Sequence, residues 1–149
     1  MSQFGSVWNF IDKQFKEEPT WRSLEGGTDE EIKKAERILE LEFHPDYKKY
    51  LKRYGGGSPF ALDIYGLHPT GIMTSNFSVI TNTKFYRDQK WPNIQKWYIV
   101  SDDGRGNPIG IDPNGGVWLS DHDSGFEQVK IADTFEEFLY KLQTDTLFE

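Results

Sequence analysis

Cysteine is absent from the chain, so no disulfide framework and no thiol nucleophile or thiolate metal ligand is possible. For the same reason, cysteine usage gives no reading of the redox compartment. Long apolar runs are also missing, and none of the stretches approaches the roughly 20 residues a membrane-spanning helix needs. The N-terminus has no basic region followed by an apolar core of the secretory type, so a cytoplasmic protein is expected. Positive charge is in short supply. Seventeen Lys and Arg stand against 24 Asp and Glu, a formal charge of −7. That balance argues against a phosphate backbone as direct partner and for a basic protein instead. Histidine occurs only at His44, His68 and His122, so candidates for a neutral-pH base are few.

Aromatic residues are plentiful at 15%, so the core is expected to be built on rings. At 149 residues the chain is read as one domain, 1–149, able to bury roughly 68–70% of its unfolded surface without a metal or disulfide staple. Phe4, Val7, Trp8, Ile11 and Phe15 recur at helical spacing within 3–18, which predicts an amphipathic first helix. Pro19 to Gly27 reads as a connector, tacked down by Trp21 and Leu24.

The stretch from Thr28 to Leu67 carries the densest local signals. Thr28 with Glu31 forms a capping box, and Asp29, Glu30 and Glu31 place negative charge where the helix dipole favours it. Ile32, Ala35, Ile38 and Leu39 give this helix an inward stripe, and Pro45 predicts its end near Phe43. Pro45 also suits the first position of a further helix, with Tyr47, Tyr50, Leu51 and Tyr54 facing inward and Gly55 just past the end. The glycine-rich turn from Gly55 to Pro59 then leads into Ala61 to Leu67, an apolar run of strand length. Asn76 to Gln89 is read as another helix, weakened by its β-branched residues.

Beyond Trp97 the period changes. Strands are expected at Tyr98 to Ser101, Pro108 to Asp112, Val117 to Ser120 and Phe126 to Ile131. Turn clusters separate them, the strongest being Pro113-Asn114-Gly115-Gly116. Asp133 with Glu136 then opens a closing helix with Phe135, Phe138, Leu139 and Leu142 inward. Helices before and after a run of strands predict an α+β fold, a mostly antiparallel meander flanked by N-terminal and C-terminal helices.

Enzyme chemistry finds little support. His44 falls at a helix N-cap, where capping is the expected role, and His68 and His122 read as loop residues. Nucleophile-elbow, zinc-protease and phosphate-loop motifs are all missing, and Gly55-Gly56-Gly57-Ser58 lacks the Lys and helix of a phosphate cradle. Asp121 to Glu127 begins like a calcium loop and then fails. Gly125 replaces the third ligand, Phe126 occupies the glycine position, and no Glu stands twelfth. No catalytic, cofactor or metal residue is assigned.

The acidic turns are the better clue. Asp102, Asp103, Asp112, Asp121, Asp123 and Glu127 lie in or beside the turns of the meander. Alternate turns of a meander share an end of the sheet. A partner-binding rim of Asp102, Asp103, Asp121, Asp123 and Glu127, with Trp118 as aromatic anchor, is therefore expected to attract a basic protein. Turns are also rich in Asp for their own hydrogen-bonding reasons, and the residues alone do not separate the two explanations.

Several segments resemble the SUKH superfamily. They are the Thr28, Glu30-Glu31-Ile32 opening, Leu41-Glu42-Phe43-His44-Pro45-Asp46-Tyr47-Lys48-Lys49-Tyr50-Leu51 and Tyr54-Gly55-Gly56-Gly57. Ile64-Tyr65-Gly66-Leu67, the Ser101 to Asn107 turn and Phe135-Glu136-Glu137-Phe138-Leu139 continue the likeness to about Leu142. The superfamily includes fungal cell-wall-assembly regulators and many bacterial immunity proteins against polymorphic toxins. The resemblance implies a mixed sheet flanked by helices, no agreed catalytic set, and a non-enzymatic binder. Its cognate partner would be a toxin C-terminal domain, often a nuclease. A regulatory interaction module without a toxin stays open, as does the oligomeric state.

Overall fold

The computed structural model describes residues 3–148. Helix α1 (Val7–Glu17) buries Val7, Trp8, Ile11 and Phe15, the stripe its spacing predicts. A short 3-10 turn at Pro19–Trp21 follows, and Trp21 packs against the core. Leu24 does not, being 100% exposed, because Ser23 and Gly27 anchor the connector by their backbone amides instead.

Helix α2 (Asp29–Leu39) opens with both halves of the capping box made. The Thr28 hydroxyl accepts the Glu31 amide at 3.1 Å, and the Glu31 carboxylate accepts the Thr28 amide at 3.0 Å. Its end comes earlier than Pro45 requires. Glu40 takes a left-handed backbone (φ 57), and the Leu41 amide donates back to the Glu36 carbonyl, a Schellman-type closure. Ile32, Ala35 and Leu39 are buried, whereas Ile38 lies at the stripe's edge, 38% exposed.

Helix α3 (Pro45–Tyr54) starts on Pro45 and ends on Gly55 at φ 76, with Tyr47, Tyr50, Leu51 and Tyr54 buried. Asp46 accepts the Tyr47 amide with one oxygen and the Glu136 amide with the other, so it caps two helix starts at once. His44 holds the N-cap place, but its ring does not cap. It turns to the Tyr98 hydroxyl (2.7 Å from Nδ1) and the Pro113 carbonyl (3.0 Å from Nε2).

Ala61 to Leu67 is not a strand. Its backbone groups go to separate neighbours: Ile64 pairs with Gly57, the Tyr65 amide donates to Val100, Gly66 to Phe77, and Leu67 to Gly55. A ladder needs one neighbour for several residues, and here the partner changes at each step. Buried tyrosine hydroxyls hold the same region, Tyr47 donating to the Tyr65 carbonyl (2.6 Å) and Tyr50 to that of Gly57 (3.2 Å). Gly66 is required by space, since a Cβ there would lie 2.2 Å from the Gly55 carbonyl oxygen.

Helix α4 (Val79–Asp88) is capped by Ser78 and inserts Val79, Thr83 and Tyr86. Four strands follow: β1 (Tyr98–Asp102), β2 (Pro108–Ile111), β3 (Val117–Asp121) and β4 (Glu127–Ala132). They pair in sequence order, all antiparallel, the expected meander. Helix α5 (Phe135–Gln143) buries Phe135, Phe138, Leu139 and Leu142. Its cap is one residue later than expected. Thr134 accepts the Glu137 amide, and Glu137 accepts the Asp133 amide. The fold is α+β.

Rings link the layers. Tyr98 on β1 meets Tyr47, Tyr47 and Tyr50 both meet Phe135, and Tyr54 joins Tyr50 to Phe15 of α1, with centroids 5.0–5.6 Å apart. Each such pair contributes about 0.5–1.5 kcal/mol beyond its buried area.

Candidate interaction site

The β1–β2 and β3–β4 turns leave the meander at the same end, and the β2–β3 turn leaves at the other. Asp102 and Asp103 therefore share an end with Asp121, Asp123 and Glu127. Asn107, buried beside them, joins the two turns. Its amide nitrogen donates to Asp103 Oδ2 (2.8 Å), and its oxygen accepts the His122 backbone amide (3.0 Å) and the His122 ring Nδ1. The ring must carry its proton on Nδ1 to make that bond.

Much of this acidity is occupied locally. Asp102 accepts the Gly104 amide and the Tyr65 hydroxyl. Asp103 accepts the Arg105 and Asn107 amides, and Asp121 accepts the Asp123 amide and Ser124 hydroxyl. These are Asx-type turn bonds, so the turn-chemistry explanation holds for three of the five carboxylates. The Asp123 side chain, 72% exposed, meets only the His122 ring among the described residues, at 3.3 Å. The Glu127 side chain makes no hydrogen bond or ion pair among the described residues, while its backbone pairs with Asp121. None of the five carboxylates is paired with Lys or Arg among the described residues.

Trp118 stands apart from this rim. It lies opposite Gly110 and Lys130 within the sheet, and its indole donates to Asp112 Oδ2 at 2.8 Å. That carboxylate belongs to the turn at the other end. One donor atom from each of Asp121, His122 and Asp123 falls within a 4.8 Å set, the spacing of a metal site. The Asp121 oxygens and the His122 Nδ1 already serve the turn.

Beside the rim lies an aromatic groove that periodicity did not reveal. One hollow of about 570 Å³ is lined by Asp63, Asp102, Tyr65, Phe85 and Tyr86. A second, about 640 Å³, is lined by Phe85, Tyr86, Trp91 and Phe126, with Lys90 and Arg105 among its other residues. Trp91 stands edge-on to Phe126 and Tyr86 at 5.1 and 5.3 Å and anchors its indole on the Ser120 hydroxyl (2.7 Å). Phe126, expected to begin a strand, instead sits in the turn at φ 64, directly after Gly125 at φ 66. A left-handed backbone costs a non-glycine residue about 1–2 kcal/mol. Burial, then the hydrogen bond to Asp102, holds the Tyr65 hydroxyl well above the ordinary phenol range, so it stays a donor to that carboxylate.

No helix among the described residues is long and apolar enough to cross a membrane. The structure thus defines an α+β protein whose acidic turns and aromatic groove gather at one end of an antiparallel meander. The family model SUKH_5, described as SMI1-KNR4 cell-wall, matches residues 7–143, and the chain belongs to that family within the SUKH superfamily. A comparison with the curated proteins found no match. Membership is consistent with a non-catalytic immunity or regulatory role.

Proposed function

We infer that this protein is an immunity protein, binding and neutralising the C-terminal domain of a cognate polymorphic toxin, a basic nuclease-like domain. The observation that carries the reading is the gathering of five carboxylates at one end of the meander without a Lys or Arg partner among the described residues. In a chain of formal charge −7, such an end attracts a cationic surface and raises the association rate. Covering a surface that grips nucleic-acid phosphate would then neutralise the toxin by occlusion, with no catalysis by the inhibitor. Asp123 and Glu127 are the rim carboxylates that hold no turn through a backbone amide, and they are the first to meet a partner. Asp102, Asp103 and Asp121 contribute field while holding their turns. Trp118 supports the opposite end and is not needed for this contact.

Co-expression with the C-terminal domain encoded by the neighbouring gene tests the reading. Growth rescue and a co-purified complex are the expected outcome, and neither would move the protein to the regulatory, toxin-free class. Within a complex, Asp123→Lys with Glu127→Lys should slow association by about tenfold at low salt and by less at high salt. An unchanged, salt-insensitive rate would remove the acidic end from the interface.

A further inference from the structure

We propose that the paired hollows beside α4 form the seat for an arginine-bearing segment of a partner protein, the guanidinium entering between Asp63 and Asp102 and a neighbouring apolar side chain lying against Trp91 and Phe126. The inference rests on the reading of the chain as a protein binder, but not on the partner being a toxin.

Charge decides what the first hollow accepts. Asp63 and Asp102 both line it, no Lys or Arg does, and neither carboxylate has an ion-pair partner among the described residues. Asp63 is exposed, and one of its oxygens accepts the Ser58 hydroxyl at 2.6 Å, which fixes the carboxyl and leaves the other oxygen available. Phe85 and Tyr86 supply aromatic wall to the same hollow. Two carboxylates beside aromatic residues suit a planar, weakly hydrated guanidinium better than a compact ammonium.

Shape decides the second contact. Phe85, Tyr86 and Gly106 line both hollows, so the two are neighbours along one groove. The second hollow carries Lys90 and Arg105, which disfavour another cation there and leave an apolar occupant. Phe85 is 53% exposed and Phe126 39%, so substantial ring surface faces water on both sides of the groove. Phe126 holds that position on a left-handed backbone that a large side chain rarely adopts. Backbone strain of this kind clusters where a side chain serves recognition rather than the fold.

The test uses the full chain, isotopically labelled, titrated with the peptide acetyl-Leu-Gly-Arg-amide and with its citrulline counterpart, which keeps the shape and loses the charge. Saturable shifts of the Asp63, Phe85, Asp102 and Gly104 signals are expected with the arginine peptide, and binding roughly tenfold weaker with citrulline. Asp63→Asn, which keeps an acceptor for Ser58, should weaken the arginine peptide by a similar factor. Phe126→Gly should weaken it too while leaving the thermal midpoint unchanged, because glycine relieves the left-handed strain as the ring contact is lost. Equal binding of the two peptides, shifts elsewhere on the surface, or indifference to both substitutions would each overturn the proposal. A clear fall in the midpoint of Phe126→Gly with peptide binding retained would assign the ring to the fold and also overturn it. The two readings fail separately. Toxin rescue with no discrimination between the arginine and citrulline peptides refutes the groove and keeps the immunity role. Peptide binding without toxin rescue does the reverse.

Discussion

Asn107 is 1% exposed, and its one amide group serves two turns. Removing it strands the His122 backbone amide and frees the Asp103 carboxylate from a donor. Asn107→Ala is expected to destabilise the protein by about 2 kcal/mol, measured by urea denaturation, since a hydrogen bond to a charged group contributes about 1.5–3 kcal/mol. It should also loosen the relative placement of the two acidic turns, so partner affinity should fall more than stability alone explains. Glu31 makes a different prediction. The Thr28 backbone hydrogen bond, aided by the charge of His68 beside it, holds its carboxyl below the ordinary value of 4.5. A depressed folded pKa contributes stability that is present above pH 4.5 and is lost as pH falls through the folded value. Glu31→Gln should therefore flatten the loss of stability below pH 4.5, and an unaltered acid limb in pH-resolved unfolding would contradict the assignment.

Among the elements, α5 was expected to open on Asp133 with Glu136, and the structure opens it on Thr134 with Glu137. Tertiary contacts choose between them. Glu136 donates its amide to Asp46 and accepts the Trp8 indole N–H with its carboxylate (2.6 Å), which leaves Glu137 to complete the cap. Thr134→Ala should cost about 1 kcal/mol and Asp133→Ala much less, a contrast that thermal unfolding of the two variants resolves. The same logic separates what was legible from what was not. The capping of α2 and the Pro45 start and Gly55 end of α3 rest on neighbours within a few residues, and each strand of the meander pairs with the next one in the chain. Ala61 to Leu67 is held by residues as distant as Val100, so its strand-like composition pointed the wrong way. The acidic end followed from turn alternation, whereas the distance between Trp118 and that end depends on strand register. Phe126 was hidden because a left-handed backbone leaves no trace in apolar spacing.

At the level of the whole molecule, the ring-built core makes a prediction for alkali. Burial first, then neighbouring charges, pushes the hydroxyls of Tyr47 and Tyr50 well above the usual value of 10.0, and burial raises Tyr98 as well. Groups with a raised folded pKa contribute stability that is complete below the unfolded value and is lost as pH rises toward the folded one. These tyrosines should ionise only as the chain unfolds above pH 10, so tyrosinate absorbance and loss of circular dichroism should share one transition. Tyrosinate appearing ahead of unfolding in more than the exposed subset would contradict a closed core.

Gly104, Gly106 and Gly125 mark the tips of the two acidic turns, and a Cβ placed at any of them would meet nothing within 4 Å. Their left-handed backbones limit substitution in place, but the space a Cβ would take is open. Insertions at these tips would leave the ring core and the strand registers untouched. Across evolutionary time, a protein built this way can lengthen or recharge the surface it offers to partners without having to find a new fold.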